Sequence, residues 1–153
     1  TPTVLLYDRP TTGLEGKFSL HYCAAAALAF GRVDIESFEP KAMRESAVER
    51  LMSRVTMHVD DRLGREAPPL TQARITVRLG DGRTFKQFAD GARGYPTKPS
   101  TRAEFDGKFI GCARRVVSAE TAAAALAYLR QFDNSIPVRG LAQTLTSRLP
   151  QPA

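Results

Sequence analysis

Tryptophan is absent from the 153-residue sequence, and cysteine and histidine occur only twice each. Metal-ligating residues come in clusters with short, regular spacings. Cys23, Cys112, His21 and His58 are scattered instead, so we expect no metal site. Two lone cysteines in apolar surroundings favour reduced, buried thiols over a disulfide. No stretch approaches the ~18 consecutive apolar residues of a membrane span. From these features we expect a cytoplasmic protein that does not bind a membrane.

Acidic residues are also fewer than basic ones. The sequence has 16 Asp and Glu and 22 Lys and Arg, which gives a formal net charge of +6. The basic residues are dispersed, and no block of five or more like charges occurs. Such a charge favours anionic partners in general without selecting one. The sequence has no RNA-binding aromatic string and no zinc-finger spacing, so nucleic acid is not the expected partner.

Apolar residues dominate the first predicted helix, which runs from Lys17 to Phe30 and ends at Gly31. Its second half is apolar on every face, which predicts burial on all sides. Ser46 and Glu49 have the spacing of a capping box and predict the start of another helix.

An antiparallel sheet of about three strands is expected in the middle of the chain. Alternation of apolar and polar residues predicts strands at 55–59, 73–79 and 83–88. Gly80-Asp81-Gly82 is a hairpin signal between the last two strands.

Helices are expected after the sheet. Thr101 and Glu104 form a second capping box, and further helices are predicted from Ser118 to about Phe132 and from Pro137 onwards. An apolar N-terminal helix, a small sheet and a helical C-terminal segment define an α+β fold.

Four segments carry a resemblance to a known family: TGLEGKFSLHYCAAAALAFGRV, ARITVRLGDGRTF, RGYPTKP and EFDGKF. Together and in this order they resemble the C-terminal part of the MmgE/PrpD family. That family includes 2-methylcitrate dehydratase, cis-aconitate decarboxylase and iminodisuccinate epimerase. The resemblance implies a cofactor-independent lyase or isomerase that abstracts protons next to a carboxylate of a small di- or tricarboxylate.

The resemblance also implies a division of labour within a longer enzyme. Family members have a large helical domain and a smaller α+β lid domain, with the active site between them. The resemblance also implies that the parent enzyme is a homodimer. Residues 1–153 are expected to form one lid-type domain, although the helices after about residue 101 either belong to it or to the helical domain. Because the sequence begins at Thr1 rather than Met, we expect a processed product or a piece of a longer protein. Alone, this piece is expected to be inactive, because the helical domain supplies most of the acid and base groups.

Lys17 is the first candidate for substrate binding. A cation in the first turn of a helix opposes the helix dipole, at a cost of ~0.3–1 kcal/mol. It becomes favourable if a substrate carboxylate lies between the ammonium group and the free amides of Phe18 and Ser19. The alternative is a solvated lysine, and the family resemblance favours the binding role.

Neighbouring residues extend this candidate site. Gly16 either lets the backbone approach a ligand or serves a turn, and Arg9 either clamps a carboxylate or is solvated. Ser19 either donates to the substrate or caps the helix. His21 is the one weak candidate for a catalytic proton carrier, with a structural role as the alternative.

Arg93 and Tyr95 lie in the Gly/Pro-rich loop after the sheet, together with Lys98. This loop either closes over an anion, connects surface elements or contacts the missing helical domain. Two further classes of function remain open for the whole chain: a basic polyanion or nucleic-acid binder, and an interaction module without catalysis.

Overall fold

The computed structural model describes residues 4–63, 72–131 and 137–146. Seven α-helices, one 3₁₀ helix and a two-stranded antiparallel sheet occur in this part of the chain, which confirms the α+β class. In chain order the elements are α1 (Gly13–Lys17), α2 (Leu20–Phe30), a 3₁₀ turn (Glu36–Phe38), α3 (Pro40–Met43), α4 (Ser46–Met52), β1 (Ala73–Arg78), β2 (Thr84–Ala89), α5 (Arg102–Ala113), α6 (Ala119–Arg130) and α7 (Val138–Thr146). The chain divides into two compact units, and in the sequence the division falls between Ala92 and Arg93.

The predicted helix from Lys17 to Phe30 is wrong at its start, because two helices meet there. The amides of Phe18 and Ser19 donate to the carbonyls of Glu15 and Gly16 at 2.9 and 3.1 Å and thereby close α1. Ser19 then caps α2, since its hydroxyl accepts a hydrogen bond of 3.1 Å from the amide of Tyr22. A continuous apolar pattern concealed this break. The predicted end at Gly31 is confirmed by its left-handed φ of 70°.

The core of the first unit lies on one side of α2. Tyr22, Ala25 and Ala26 are buried there and cluster with Met43 and Val48. Helix α2 packs against α4, which contributes Val48 to this cluster.

The expectation that α2 is buried on all sides is also wrong, since Leu28 is 52% exposed. Among the described residues of the first unit, α2 contacts α4, α1 and the 3₁₀ turn. The Tyr22 hydroxyl reaches this turn and donates to the carbonyl of Ser37.

Glycine at position 13 is required by a close backbone contact between α1 and the 3₁₀ turn. An ideal Cβ at Gly13 would lie 2.0 Å from the carbonyl oxygen of Phe38. This contact and the cap of α1, in which Thr12 and Glu15 bond reciprocally, fix the orientation of the first helix.

The sheet has two strands where about three were expected. β1 pairs with β2 from Ala73↔Ala89 to Arg78↔Thr84, and Gly82 in the turn has a φ of 89°. Residues 55–59 are described but form no strand, because alternation makes a strand only where a partner strand is available. Every residue of β2 is exposed.

The second unit contains the three C-terminal helices. The capping box of Thr101 and Glu104 is confirmed at the start of α5, and Ser118 caps α6 as expected. The Arg130 guanidinium on α6 donates to the carboxylate of Asp106 on α5, which links the two helices.

Three predicted helix boundaries differ from the structure or lie partly outside the described residues. The Ser46 capping box is wrong, because Ser46 is the first residue of α4 and Glu45 precedes it without a side-chain cap. Helix α6 ends at Arg130, and Phe132 lies outside the described residues. Pro137 directly precedes α7, and its carbonyl accepts a hydrogen bond from the Tyr128 hydroxyl.

Candidate functional site

Four of the predicted site residues lie where α1 meets α2. We call residues 16–21 the α1–α2 junction; it contains Gly16, Lys17, Ser19 and His21. The preceding segment with Arg9 is tied to it, because the amide of Tyr7 donates to the carbonyl of Phe18 at 3.3 Å. The fold therefore gathers one end of each helix and the N-terminal segment at one place.

Lys17 occupies the last turn of α1 rather than the first turn of the apolar helix. A cation is favoured at this end of a helix, so the expected conflict with the helix dipole does not arise. Its side chain is exposed, and Nζ lies 5.9 Å from the centroid of the Phe38 ring. A cation over an aromatic face is stabilised by about 0.5–1 kcal/mol at exposed sites.

The amides that the sequence assigned to an anion are not free. As described above, Phe18 and Ser19 donate both of their N–H groups to α1. The available donors at the junction are two residues later, at the N-terminus of α2. Among the described residues, the amides of Leu20 and His21 have no hydrogen-bond acceptor, as is usual for the first turn of a helix.

Ser19 and Gly16 have structural roles in this geometry. Ser19 is 0% exposed, and its hydroxyl caps α2. Gly16 is also buried, and a Cβ there would lie 3.1 Å from Sδ of Met43 and 3.3 Å from Cδ1 of Phe38. Whether either residue also meets a substrate stays a prediction.

His21 has a partner that the sequence did not suggest. Its Nδ1 lies 3.4 Å from Oδ1 of Asp8, and the two side chains are 14% and 78% exposed. Asp8 was not among the site residues predicted from the sequence. No spacing rule joins positions 8 and 21, since a tertiary hydrogen bond brings their segments together.

Three other ionisable groups near the junction have shifted pKa values that favour their ordinary protonation states at neutral pH. Burial raises the pKa of the Tyr22 hydroxyl and of the Cys23 thiol. Both groups are therefore neutral near pH 7 and are unsuited to act as an anionic base or nucleophile. The amide and hydroxyl of Thr11 donate to the Glu15 carboxylate and lower its pKa.

Arg9 is exposed beside Asp8 and is available to an anion in solution. Arg93 and Tyr95 belong to the second unit. The Arg93 guanidinium donates to the Glu104 carboxylate, and Tyr95 forms an isolated β-bridge with Lys98. Hydrogen bonds from Thr101, and then the charge of Arg93, lower the pKa of Glu104.

No cluster of three or more potential metal ligands occurs in residues 4–63, 72–131 and 137–146. Over the same residues, no helix combines the length and hydropathy needed to cross a membrane.

In the first unit, the exposed Lys17 at the end of α1 is followed within three residues by the N-terminus of the apolar helix α2. Residues 2–134 match the family model of the MmgE/PrpD C-terminal domain. The chain belongs to this family.

Curated relatives of this chain include three proteins with similar names. It is 29% identical over 129 residues to the cis-aconitate decarboxylase-like protein oryM of Aspergillus oryzae (strain ATCC 42149 / RIB 40), covering 84% of this chain and 25% of the relative. Identity to cis-aconitate decarboxylase is 25% over 142 residues for Homo sapiens and 24% over 139 residues for Mus musculus, covering 87% of this chain and 28% of each relative. The chain thus spans about a quarter of their length.

Proposed function

We propose that this chain is the carboxylate-binding C-terminal domain of an enzyme that acts on a small di- or tricarboxylate. The observation that carries the proposal is the α1–α2 junction, where Lys17 precedes the free amides of Leu20 and His21 by three and four residues. A helix N-terminus favours anions, and a flexible ammonium group neutralises them. The exposed Arg9 adds a second cation on the adjoining segment.

The names of the relatives support the choice of substrate class. Cis-aconitate is a tricarboxylate, and a binding site for it needs several cationic or N–H donor groups. The reaction of the full-length enzyme is proposed as lyase or isomerase chemistry, namely decarboxylation, dehydration or epimerisation, without a cofactor.

Catalysis is proposed to need more than these residues. The described part of the junction offers one imidazole, in His21, and otherwise neutral or cationic groups. We therefore assign this chain to substrate binding and to closure of the active site over the substrate. The partners in the full-length enzyme are its helical domain and, in a homodimer, a second copy.

The cytoplasm is the proposed location. Cys23 and Cys112, the only cysteines, are both free thiols, but the expected burial is wrong for Cys112, which is exposed. Free exposed thiols are typical of a reducing compartment.

The test is calorimetric titration of the chain with cis-aconitate. The wild type is expected to bind it, and Lys17→Ala is expected to weaken binding about tenfold, as for loss of one charged hydrogen bond of about 1.4 kcal/mol. Lys41→Ala is the matched control, because Lys41 is also an exposed lysine in the last turn of a short helix. Equal affinities of the two variants would contradict the assignment of Lys17.

Turnover provides a separate test of the role. The chain alone is expected to release no carbon dioxide from cis-aconitate. Sustained release by the purified chain would overturn the assignment to binding and closure.

A second candidate function is supported by the hairpin. Cross-strand pairing places Arg74, Arg78 and Lys86 on one exposed face of β1 and β2, together with Phe88. A basic face of this kind suits a polyanion such as nucleic acid. This candidate predicts a steep loss of DNA affinity between low and high salt, which the carboxylate-binding function does not require.

A further inference from the structure

The contact between Asp8 and His21 pairs a carboxylate with an imidazole at the edge of the candidate site. The distance from Nδ1 to Oδ1 is 3.4 Å, slightly beyond the ordinary hydrogen-bond range of roughly 2.7–3.2 Å. The Asp8 side chain is largely exposed. The two groups are within ion-pair distance but do not form a hydrogen bond in this geometry. Catalytic hydrogen bonds are often long or poorly aligned until a substrate is bound.

The backbone holds Asp8 near His21. Its neighbour Tyr7 donates its amide to the carbonyl of Phe18, three residues before the histidine. On the other side, Pro10 restricts the backbone of the preceding residue. The approach of Asp8 to the imidazole is therefore built into the course of the chain.

The second nitrogen of His21 remains available. Nε2 has no hydrogen-bond partner in the part of the chain that the structure describes. In that part, every fully buried side-chain nitrogen or oxygen has a partner, so Nε2 must reach solvent. Nδ1 of His21 thus lies near the Asp8 carboxylate, while Nε2 is accessible to solvent.

We propose that Asp8 is a positioning residue that holds His21 as the Nδ1–H tautomer and leaves Nε2 as the proton acceptor toward the substrate. This inference rests on the proposed carboxylate-binding function. The tautomer of a histidine is set by the hydrogen bond that its other nitrogen makes. A carboxylate at Nδ1 therefore fixes both the ring orientation and the nitrogen that exchanges a proton.

The experiment is a ¹⁵N–¹H long-range correlation spectrum of the imidazole nitrogens at a pH where histidine is neutral. The chain has only two histidines, so both spin systems are resolved, and the exposed His58 is an internal control. Wild-type His21 is expected as the Nδ1–H tautomer. Asp8→Ala is expected to give His21 the tautomer ratio of His58, and Asp8→Glu is expected to restore the Nδ1–H form.

Because Asp8 is exposed, Asp8→Ala is expected to fold, and its amide spectrum checks this. An Nε2–H tautomer in the wild type, or an Asp8→Ala spectrum identical to wild type, overturns the inference. Titration of the same samples with cis-aconitate separates the two proposals. Binding with a tautomer indifferent to Asp8 overturns only the role of Asp8, whereas absence of binding overturns the proposed function and the proton-acceptor role that depends on it.

Discussion

Replacement of Gly13 by alanine tests the packing that orients α1. The added Cβ would lie 2.0 Å from the carbonyl oxygen and 3.1 Å from the carbonyl carbon of Phe38. Both atoms belong to the backbone, so no side-chain rotation relieves the overlap. Helix α1 must move away from the 3₁₀ turn, together with the lysine at its end.

The expected loss follows from the size of this overlap. Overpacking by one methylene or methyl group typically costs about 1–3 kcal/mol, and a backbone contact of this closeness lies at the upper end. We therefore expect Gly13→Ala to lower the free energy of unfolding of the first unit by about 3 kcal/mol. Urea unfolding followed by far-ultraviolet circular dichroism measures it.

Gly107→Ala is the matched control for this experiment. Gly107 lies within α5, and a Cβ there meets no atom within 4 Å. Helix propensity alone then favours alanine by about 0.5–1 kcal/mol. Destabilisation by Gly107→Ala, or wild-type stability of Gly13→Ala, would refute the reasoning.

Three further predictions concern caps and ion pairs. Ser19→Ala is expected to cost about 1–2 kcal/mol in urea unfolding, because the buried amide of Tyr22 loses its acceptor; an unchanged midpoint would contradict this cap. Hydrogen bonds lower the pKa of Glu15 and of Glu104, so their contribution to stability is present above about pH 4.5 and is lost as the pH falls through their folded-state pKa. Thermal unfolding from pH 7 to pH 3 should show this loss, and the variant with glutamine at both positions should show less of it. Arg130→Met should lower the unfolding midpoint, and adding Asp106→Asn should cost little more, because the two residues form one pair; full additivity in this cycle would show that they act independently.

Local signals accounted for most of the helices. The Thr101 capping box and Gly31 mark helix ends through hydrogen bonds and backbone angles that involve only nearby residues. The break between α1 and α2 was missed because Ser19 stands within a stretch that otherwise continues the helical pattern. Capping was one of the two roles predicted for Ser19, and it is confirmed, but the end of α1 directly before it is visible only from the hydrogen bonds of Phe18 and Ser19.

The sheet was predicted less completely because strands depend on distant partners. The hairpin carries its own turn signal between two alternating runs, and it forms as expected. Residues 55–59 alternate equally well but have no strand to pair with in the described part of the chain. Alternation alone does not reveal whether such a partner exists.

For the candidate site too, the sequence identified individual residues but not how the fold arranges them. The resemblance to the family favoured a binding role for Lys17, whereas His21 was a candidate because it is one of only two histidines and lies close to Lys17 in the sequence; the family itself is confirmed over residues 2–134. The position of Lys17 at the end of α1, and of Asp8 beside His21, follows from tertiary contacts that no motif encodes.

The most direct test of the central claim is a map of amide chemical shifts in the ¹⁵N-labelled chain during titration with cis-aconitate. We predict saturable shifts concentrated at residues 16–21, with the largest at the amides of Leu20 and His21, and a much weaker response in Lys17→Ala. Shifts that never saturate, or that concentrate on the basic face of the hairpin instead, would contradict a carboxylate site at the α1–α2 junction.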